Sequence, residues 1–289
     1  MTTSFPRDES PESPFGELPT LDMSTVSAAR AYDYMLGGHH NFEVDREFAE
    51  QVMRAAPQAA LVARTNRAWL RRAVRYLLDQ GVRQFLDLGS GIPTVGNTHQ
   101  IAQAAGIQAR TVYVDREGVA YHQARQLLAR EGAGDQAGII QADLRDVAGV
   151  LGHPEVARLL DFTRPVGLVL ASVLLYVSDE DDPAGIISAY LDAMAPGSYL
   201  AISTTTQDGV ASDLRSRAQD VQHLYKQAKE PVVARSWDQI AAWFARTELV
   251  EPGLVELADW RPDPDEQPVP AATRTFVYAG VGRLLPRNG

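Results

Sequence analysis

The chain has 289 residues, 45% of them hydrophobic and 22% charged, a formal net charge of -10 and no cysteine. That length buries a full core slightly above the usual single-domain size, while the missing thiols exclude disulfides, thiolate metal sites and a cysteine nucleophile. The negative charge excludes a protein that wraps nucleic acid through clustered Lys and Arg, and no apolar run approaches the roughly 18 residues of a membrane span.

Residues 1–22 hold Pro6, Pro11, Pro14 and Pro19 and five acids against Arg7. So little apolar surface cannot offset the entropy of ordering it, and a disordered tail is expected. The same stretch has no basic region followed by an apolar core, so a cytoplasmic protein is expected. From Thr25 a helical pattern runs to Met35 and stops at Gly37-Gly38; a second runs from about Val44 to Ala55, before Pro57, and a third over Gln58 to Gln80. Residues 23–82 read as a helical lid across the carboxyl edge of a sheet. Arg64, Arg67, Arg71 and Arg75 recur at helical spacing as a solvated face. Near the start of that helix, Asn66 and Arg67 are placed to meet a ligand's carboxylate.

Residues 83–289 then alternate as a doubly wound parallel sheet requires: strand 84–88, helix 97–105, strand 110–115, helix 117–130, strand 137–142, helix 154–161, strand 166–171, helix 183–194 and strand 198–204. Asn97 with Gln100 three residues on is a capping box, which sets the first helix start after a long glycine loop. Helices over 211–229 and 236–246 follow. Two long strand candidates, Glu248 to Leu257 and Thr273 to Val281, flank a connector rich in proline and acid, Asp259 to Pro270. They read as an antiparallel hairpin closing the sheet.

The chemistry gathers at the strand ends. Gln84-Phe85-Leu86-Asp87-Leu88-Gly89-Ser90-Gly91 is an apolar strand running through an aspartate into two glycines, a turn that lets backbone approach a ligand closely. The next two strands end in Asp115, suited to accept both hydroxyls of a ribose, and in Asp143. A dinucleotide site would place a third glycine three residues after Gly91, to seat a pyrophosphate on the helix N-terminus; Thr94 stands there. S-adenosylmethionine has no phosphate to cradle and needs a close glycine turn, a carboxylate for the ribose and a carboxylate or amide near the adenine. The spacing fits that methyl donor better than a nicotinamide cofactor.

Tyr32-Asp33-Tyr34-Met35-Leu36-Gly37-Gly38, Asn41-Phe42, Asp45-Arg46, Asn66-Arg67, Phe85 to Thr94, Tyr113-Val114-Asp115, Ala142-Asp143-Leu144-Arg145, Asp179 to Pro183 and Ala195 to Leu200 together resemble a family of bacterial S-adenosylmethionine-dependent methyltransferases of unassigned substrate. The likeness covers nearly the whole chain after residue 24. It implies an α/β fold, the class I methyltransferase Rossmann-like sheet with a C-terminal antiparallel hairpin and an N-terminal helical lid. Cofactor contacts are then expected from Asp87, Gly89, Ser90, Gly91, Asp115, Arg116, Asp143, Leu144, Ser172, Tyr34, Asn66 and Arg67. The sequence departs from the family pattern at His39-His40, where Lys-Asp is common, and at Tyr176, where a histidine is common.

The segment after the fourth strand, Ser172 to Glu180, lies where acceptors meet the cofactor. It lacks the Asn-Pro-Pro-Tyr type signature of enzymes that methylate nucleic-acid amino groups. Its apolar character implies a pocket with one hydroxyl, Tyr176, as orienting group or base. Without cysteine, thiolate-dependent methylation of a pyrimidine ring carbon is excluded as well. Tyr32, Tyr34 and Phe42 read either as core aromatics or as an aromatic wall over the sulfonium. Adjacent histidines point to different sides of regular structure, so His39 and His40 predict no metal. The expected partner is a small-molecule acceptor, with no nucleic acid or membrane, and the sequence leaves the oligomeric state open. Arginine makes up all but two, Lys226 and Lys229, of the 27 basic residues, a usage expected of a high-GC bacterium. A sensor that binds the cofactor without catalysis, and less so an NAD(P)-dependent oxidoreductase, are the alternatives.

Overall fold

The computed structural model describes residues 22–93, 96–208, 212–264 and 276–286. Most of the expected tail, Thr94, much of the acidic connector and the start of the last strand candidate lie outside them. Within these residues, α1 (Ala28–Met35), α2 (Glu43–Ala55) and α3 (Ala59–Asp79) precede β1 (Gln84–Leu88). There follow α4 (Thr98–Ala104), β2 (Arg110–Asp115), α5 (Gly118–Arg130), β3 (Ala137–Gln141), α6 (Val147–Leu151), α7 (Pro154–Leu159), β4 (Gly167–Ala171), α8 (Pro183–Asp192) and β5 (Tyr199–Thr205). The chain continues through α9 (Ser212–Gln227), α10 (Trp237–Ala242), β6 (Thr247–Leu249), β7 (Val255–Glu256) and β8 (Val277–Leu284).

These strands form one sheet in the order β3-β2-β1-β4-β5-β8-β6, with β7 also on β8; the first five are parallel and β8 is antiparallel to its neighbours. Central β1 is buried on both faces, as parallel strands between helical layers are. Leu86 and Leu88 face a core completed by α7 and α8, and Phe85 faces the one built on α3 and α4. The crossover from β1 outward through β2 and β3, then back to β4, leaves a crevice at the strands' carboxyl ends.

The strand expected over Glu248 to Leu257 is instead two short ones. Pro252 has no N–H to give to a ladder, and Gly253 turns the chain at φ +90°. The antiparallel pairing expected of the two candidates is present, Val255 and Glu256 facing Ala279 and Tyr278, with β8 inserted between β5 and β6. Thr247–Leu249 and Val255–Glu256 share its outer edge.

Only part of α3 belongs to the layer above the crevice, since Trp69, Leu70, Ala73, Val74, Leu77 and Leu78 pack on the sheet. The cap is α1, α2 and the first turns of α3, with Ala31, Phe48, Ala49 and Val52 at its centre. Val221, Leu224 and Tyr225 of α9 close its far side. The Tyr-Asp-Tyr segment proves to be a turn builder. Asp33, 1% exposed, accepts from the backbone N–H of His40 and the Asn41 amide, both at 2.9 Å. A Cβ at Gly38 would lie 2.1 Å from the Asp33 carboxylate, so only glycine passes there.

Candidate functional site

A cleft of about 530 Å³ opens at the carboxyl ends of β1 to β4, bordered by α1 and α3. Twelve of the thirteen residues singled out from sequence line it: Asp87, Gly89, Ser90, Gly91, Asp115, Arg116, Asp143, Leu144, Ser172, Asn66, Arg67 and Tyr176. Tyr34 does not. Its hydroxyl bonds Glu50 at 3.2 Å, away from the cleft, and Tyr32 lines the cleft in its place. Two residues along a helix is a turn of about 200°, so only one of the pair can face the ligand side.

The two loop glycines serve different ends, although both have φ +66°. A Cβ on Gly89 would strike Val173 Cγ2 at 2.1 Å, whereas one on Gly91 would meet nothing within 4 Å. Gly89 is therefore required by packing, and Gly91 by its backbone conformation beside open space. The Gly91 N–H donates to Asp115 Oδ2 at 2.7 Å and the Glu117 N–H to Oδ1 at 2.9 Å, so Asp115 is fixed at the cleft floor; burial raises its carboxyl.

Asp87 accepts from Thr98 Oγ1 at 2.7 Å and is 4% exposed. Burial foremost pushes its pKa up to about 6. A carboxyl raised in the fold binds a proton that the unfolded chain has released between pH 4 and 6, so its effect is to lower stability as pH rises through that window. Asp87→Asn keeps an acceptor for Thr98 and removes the titration. It is expected to stabilise the protein at pH 8 by on the order of 2 kcal/mol relative to its effect at pH 4. Chemical denaturation at the two pH values checks this, and an equal effect at both would show that Asp87 titrates alike in the folded and unfolded chain.

Around the rim, Arg145 bonds Asp143 at 2.6 and 3.0 Å and holds its carboxyl below the usual range, while Arg116 pairs with Glu230 at 2.6 Å. Asn66 is a link: its Oδ1 accepts from Ser203 Oγ at 2.7 Å and its Nδ2 donates to Tyr32 at 3.1 Å. Ser203 Oγ in turn receives the N–H of Ser172, which sits at φ +55°. Tyr176, half-buried against Tyr225, has its hydroxyl pushed well above the usual range by its partial desolvation, so it is protonated at neutral pH and is no base there.

Two polar atoms in the cleft wall, Arg67 Nε and Ser90 Oγ, are buried and have no hydrogen-bond partner. A buried donor left without a partner costs about 1–3 kcal/mol, which a bound acceptor relieves. The donor set, Arg67 Nε without a partner in the cleft wall and a fixed carboxylate at the end of β2, fits a ligand with a carboxylate at one end and a ribose in the middle. Among the described residues no group of three His, Cys, Asp or Glu is placed to hold a metal ion, and no helix is long and apolar enough to cross a membrane.

Sequence reasoning passed over four residues here. Arg30, 3% exposed, donates to Asp45 at 2.7 Å and to Glu117 at 3.1 Å, tying the cap to the turn that carries Asp115. Glu117 also caps α5 by accepting the Ala120 N–H at 2.7 Å. Glu230 lines the cleft. Arg235, 2% exposed, bonds the carbonyls of Leu174 at 2.9 Å and Val177 at 2.6 Å and the Asp179 carboxylate at 2.8 Å, and so clamps the segment after α9 onto the loop after β4. Glu117, an acid at the N-cap of α5, was the one local signal. The other three depend on partners distant in sequence.

Residues 16–285 match the model of the S-adenosyl methyltransferase family. Among solved structures, a candidate methyltransferase from Thermobifida fusca YX is 38% identical with a TM-score of 0.84, covering 93% of this chain and 98% of that one. A DUF574 family protein from Streptomyces avermitilis MA-4680 is 35% identical with a TM-score of 0.84, covering 92% and 99%. At 15% identity and a TM-score of 0.52, an O-methyltransferase family protein from Burkholderia thailandensis shares the fold over 83% of this chain and 63% of its own. No curated protein matches.

Proposed function

Because this chain belongs to the S-adenosyl methyltransferase family, we propose that it is an enzyme that moves the methyl group of S-adenosylmethionine to a small-molecule acceptor in the cytoplasm. The observation that carries the reading is the Asp115 carboxylate, buried at the end of β2 and locked to the Gly91 amide at 2.7 Å. In this reading Asp115 takes the ribose hydroxyls, and the loop from Gly89 to Gly91 receives the amino-acid end. Arg67 and Ser90 satisfy its carboxylate. Asp143, Leu144 and Arg116 surround the adenine. Ser172 and Tyr176 stand toward the acceptor.

The cofactor supplies an activated methyl on a sulfonium, so no strong base is needed to start the transfer. What remains for the protein is to hold an acceptor lone pair in line and exclude water. With its hydroxyl protonated, Tyr176 serves as an orienting donor. Residues 23–82 contribute a lid, whose cleft-facing ring is Tyr32.

Hydrogen exchange with S-adenosylhomocysteine added tests the assignment. Amides over 89–91, 115–118 and 31–42 are expected to gain protection together, β8 to be unchanged, and NAD to give no protection. Protection by NAD, or none with the nucleoside, would overturn the cofactor. Protection that spares 31–42 would remove the lid.

A further inference from the structure

We propose that Glu230, with the ring of Tyr176, forms a cation subsite, so that the acceptor is an amine and the reaction an N-methylation. The inference rests on the cofactor reading above.

The carboxylates lining the cleft differ in what they are already doing. Asp87 serves Thr98, Asp115 serves two backbone amides, and Glu117 caps a helix and pairs with Arg30. Asp143 takes three bonds from Arg145, and Asp22 accepts from Ser24 and Thr25. Asp115 and Asp143 go to the cofactor in the reading above, Glu117 and Asp22 have both oxygens bonded within the fold, and Asp87, bonded through one oxygen, is 4% exposed against 20% for the Glu230 side chain. Glu230 gives Oε2 to Arg116 at 2.6 Å, and among the described residues its Oε1 receives no hydrogen bond. It therefore faces the cleft with an acceptor to spare.

Its position is fixed. The Glu230 N–H bonds the Tyr225 carbonyl at 2.9 Å, and the Val233 N–H bonds the Leu175 carbonyl at 2.8 Å, which sets the segment beside Tyr176. Tyr176 and Tyr225 lie 6.1 Å apart by ring centroids. Tyr32 enters from the cap, its hydroxyl donating to the Ala63 carbonyl at 3.0 Å and its ring already carrying the Arg67 guanidinium 5.8 Å from the centroid, so the ring left to the acceptor is that of Tyr176. A carboxylate beside an aromatic ring is the arrangement that favours an ammonium over a neutral group of equal size. A carboxylate acceptor it repels, and a phenol meets it through one hydroxyl hydrogen bond without the charge.

The chemistry balances with these groups. The neutral amine's lone pair forms the N–C bond as the S–C bond of the sulfonium breaks, leaving the neutral thioether. The positive charge passes to nitrogen, and the proton it then sheds goes to Glu230, which enters the step ionised and leaves it neutral. Burial, first among its surroundings, raises this carboxyl, in keeping with taking a proton.

Choline and its neutral analogue, in which a tert-butyl group replaces the trimethylammonium, are the probes, titrated by calorimetry into the protein with and without saturating S-adenosylhomocysteine. Choline is expected to bind about tenfold more tightly than the analogue. Glu230→Gln, which can still accept from Arg116, should erase the difference, and Tyr176→Leu should reduce it. Equal binding of the two probes, binding of neither, or a preference that survives Glu230→Gln would overturn the proposal. Failure of the wild type to bind the nucleoside overturns the cofactor reading instead, a result read separately in the same titrations.

Discussion

Asp115→Ala is expected to weaken binding of S-adenosylmethionine by about a hundredfold or more. Two charge-assisted hydrogen bonds to ribose hydroxyls are lost, each worth roughly 1.5–3 kcal/mol. The carboxylate is fixed in advance by the Gly91 and Glu117 amides, so none of that energy goes to ordering it on binding. The alanine also frees both amides, one of them in the glycine loop, which adds to the loss. Asp115→Asn keeps one acceptor oxygen and should fall between. Calorimetry measures the affinities, and a melting curve shows that the variants are folded. A folded Asp115→Ala protein with unchanged affinity would remove Asp115 from the site.

The second large effect is on stability. Asp45 is fully buried and accepts three bonds: from Arg30 Nε at 2.7 Å, from the Ser27 N–H at 3.0 Å and from the Phe42 N–H at 2.9 Å. Asp45→Ala leaves a guanidinium buried in the cap and two helix-start amides unsatisfied. Breaking a buried pair from one side costs about 3–5 kcal/mol. Arg30 keeps Glu117, which moderates the loss toward the lower figure. Urea denaturation reads it directly. A cost under about 1 kcal/mol would show the pair to be as weak as an exposed one.

The positions most legible from sequence were those whose signal is local. Asp87, Asp115 and Asp143 each close a short apolar run beside glycine or a turn, and strand ends in a doubly wound sheet converge on one crevice whatever the loops do. Tyr34 was misread because the helix start sets its phase. A pattern beginning at Thr25 leaves the facing of residues 32 and 34 open, and Ser27 as N-cap settles it through its bond from the Arg30 N–H. Pro252 lies inside the strand expected over Glu248 to Leu257, and its missing N–H divides it in two. Glu230 and Arg235 had no periodic or motif signal at all. Their roles come from Arg116 and from main-chain carbonyls near Tyr176, which only the fold brings close.

The Arg235 clamp bears on how such a protein diversifies. Two of its acceptors are main-chain carbonyls, which every residue type provides, and the third is Asp179, outside the cleft wall. The anchoring is thus blind to which side chains stand at 174 and 177. Substitutions along 173–177 and 229–234 can reshape one flank of the cleft while the clamp keeps both segments in register. The strand-end carboxylates belong to separate stretches of chain and need not follow. A lineage can change what it modifies while keeping its donor, at little risk to the fold.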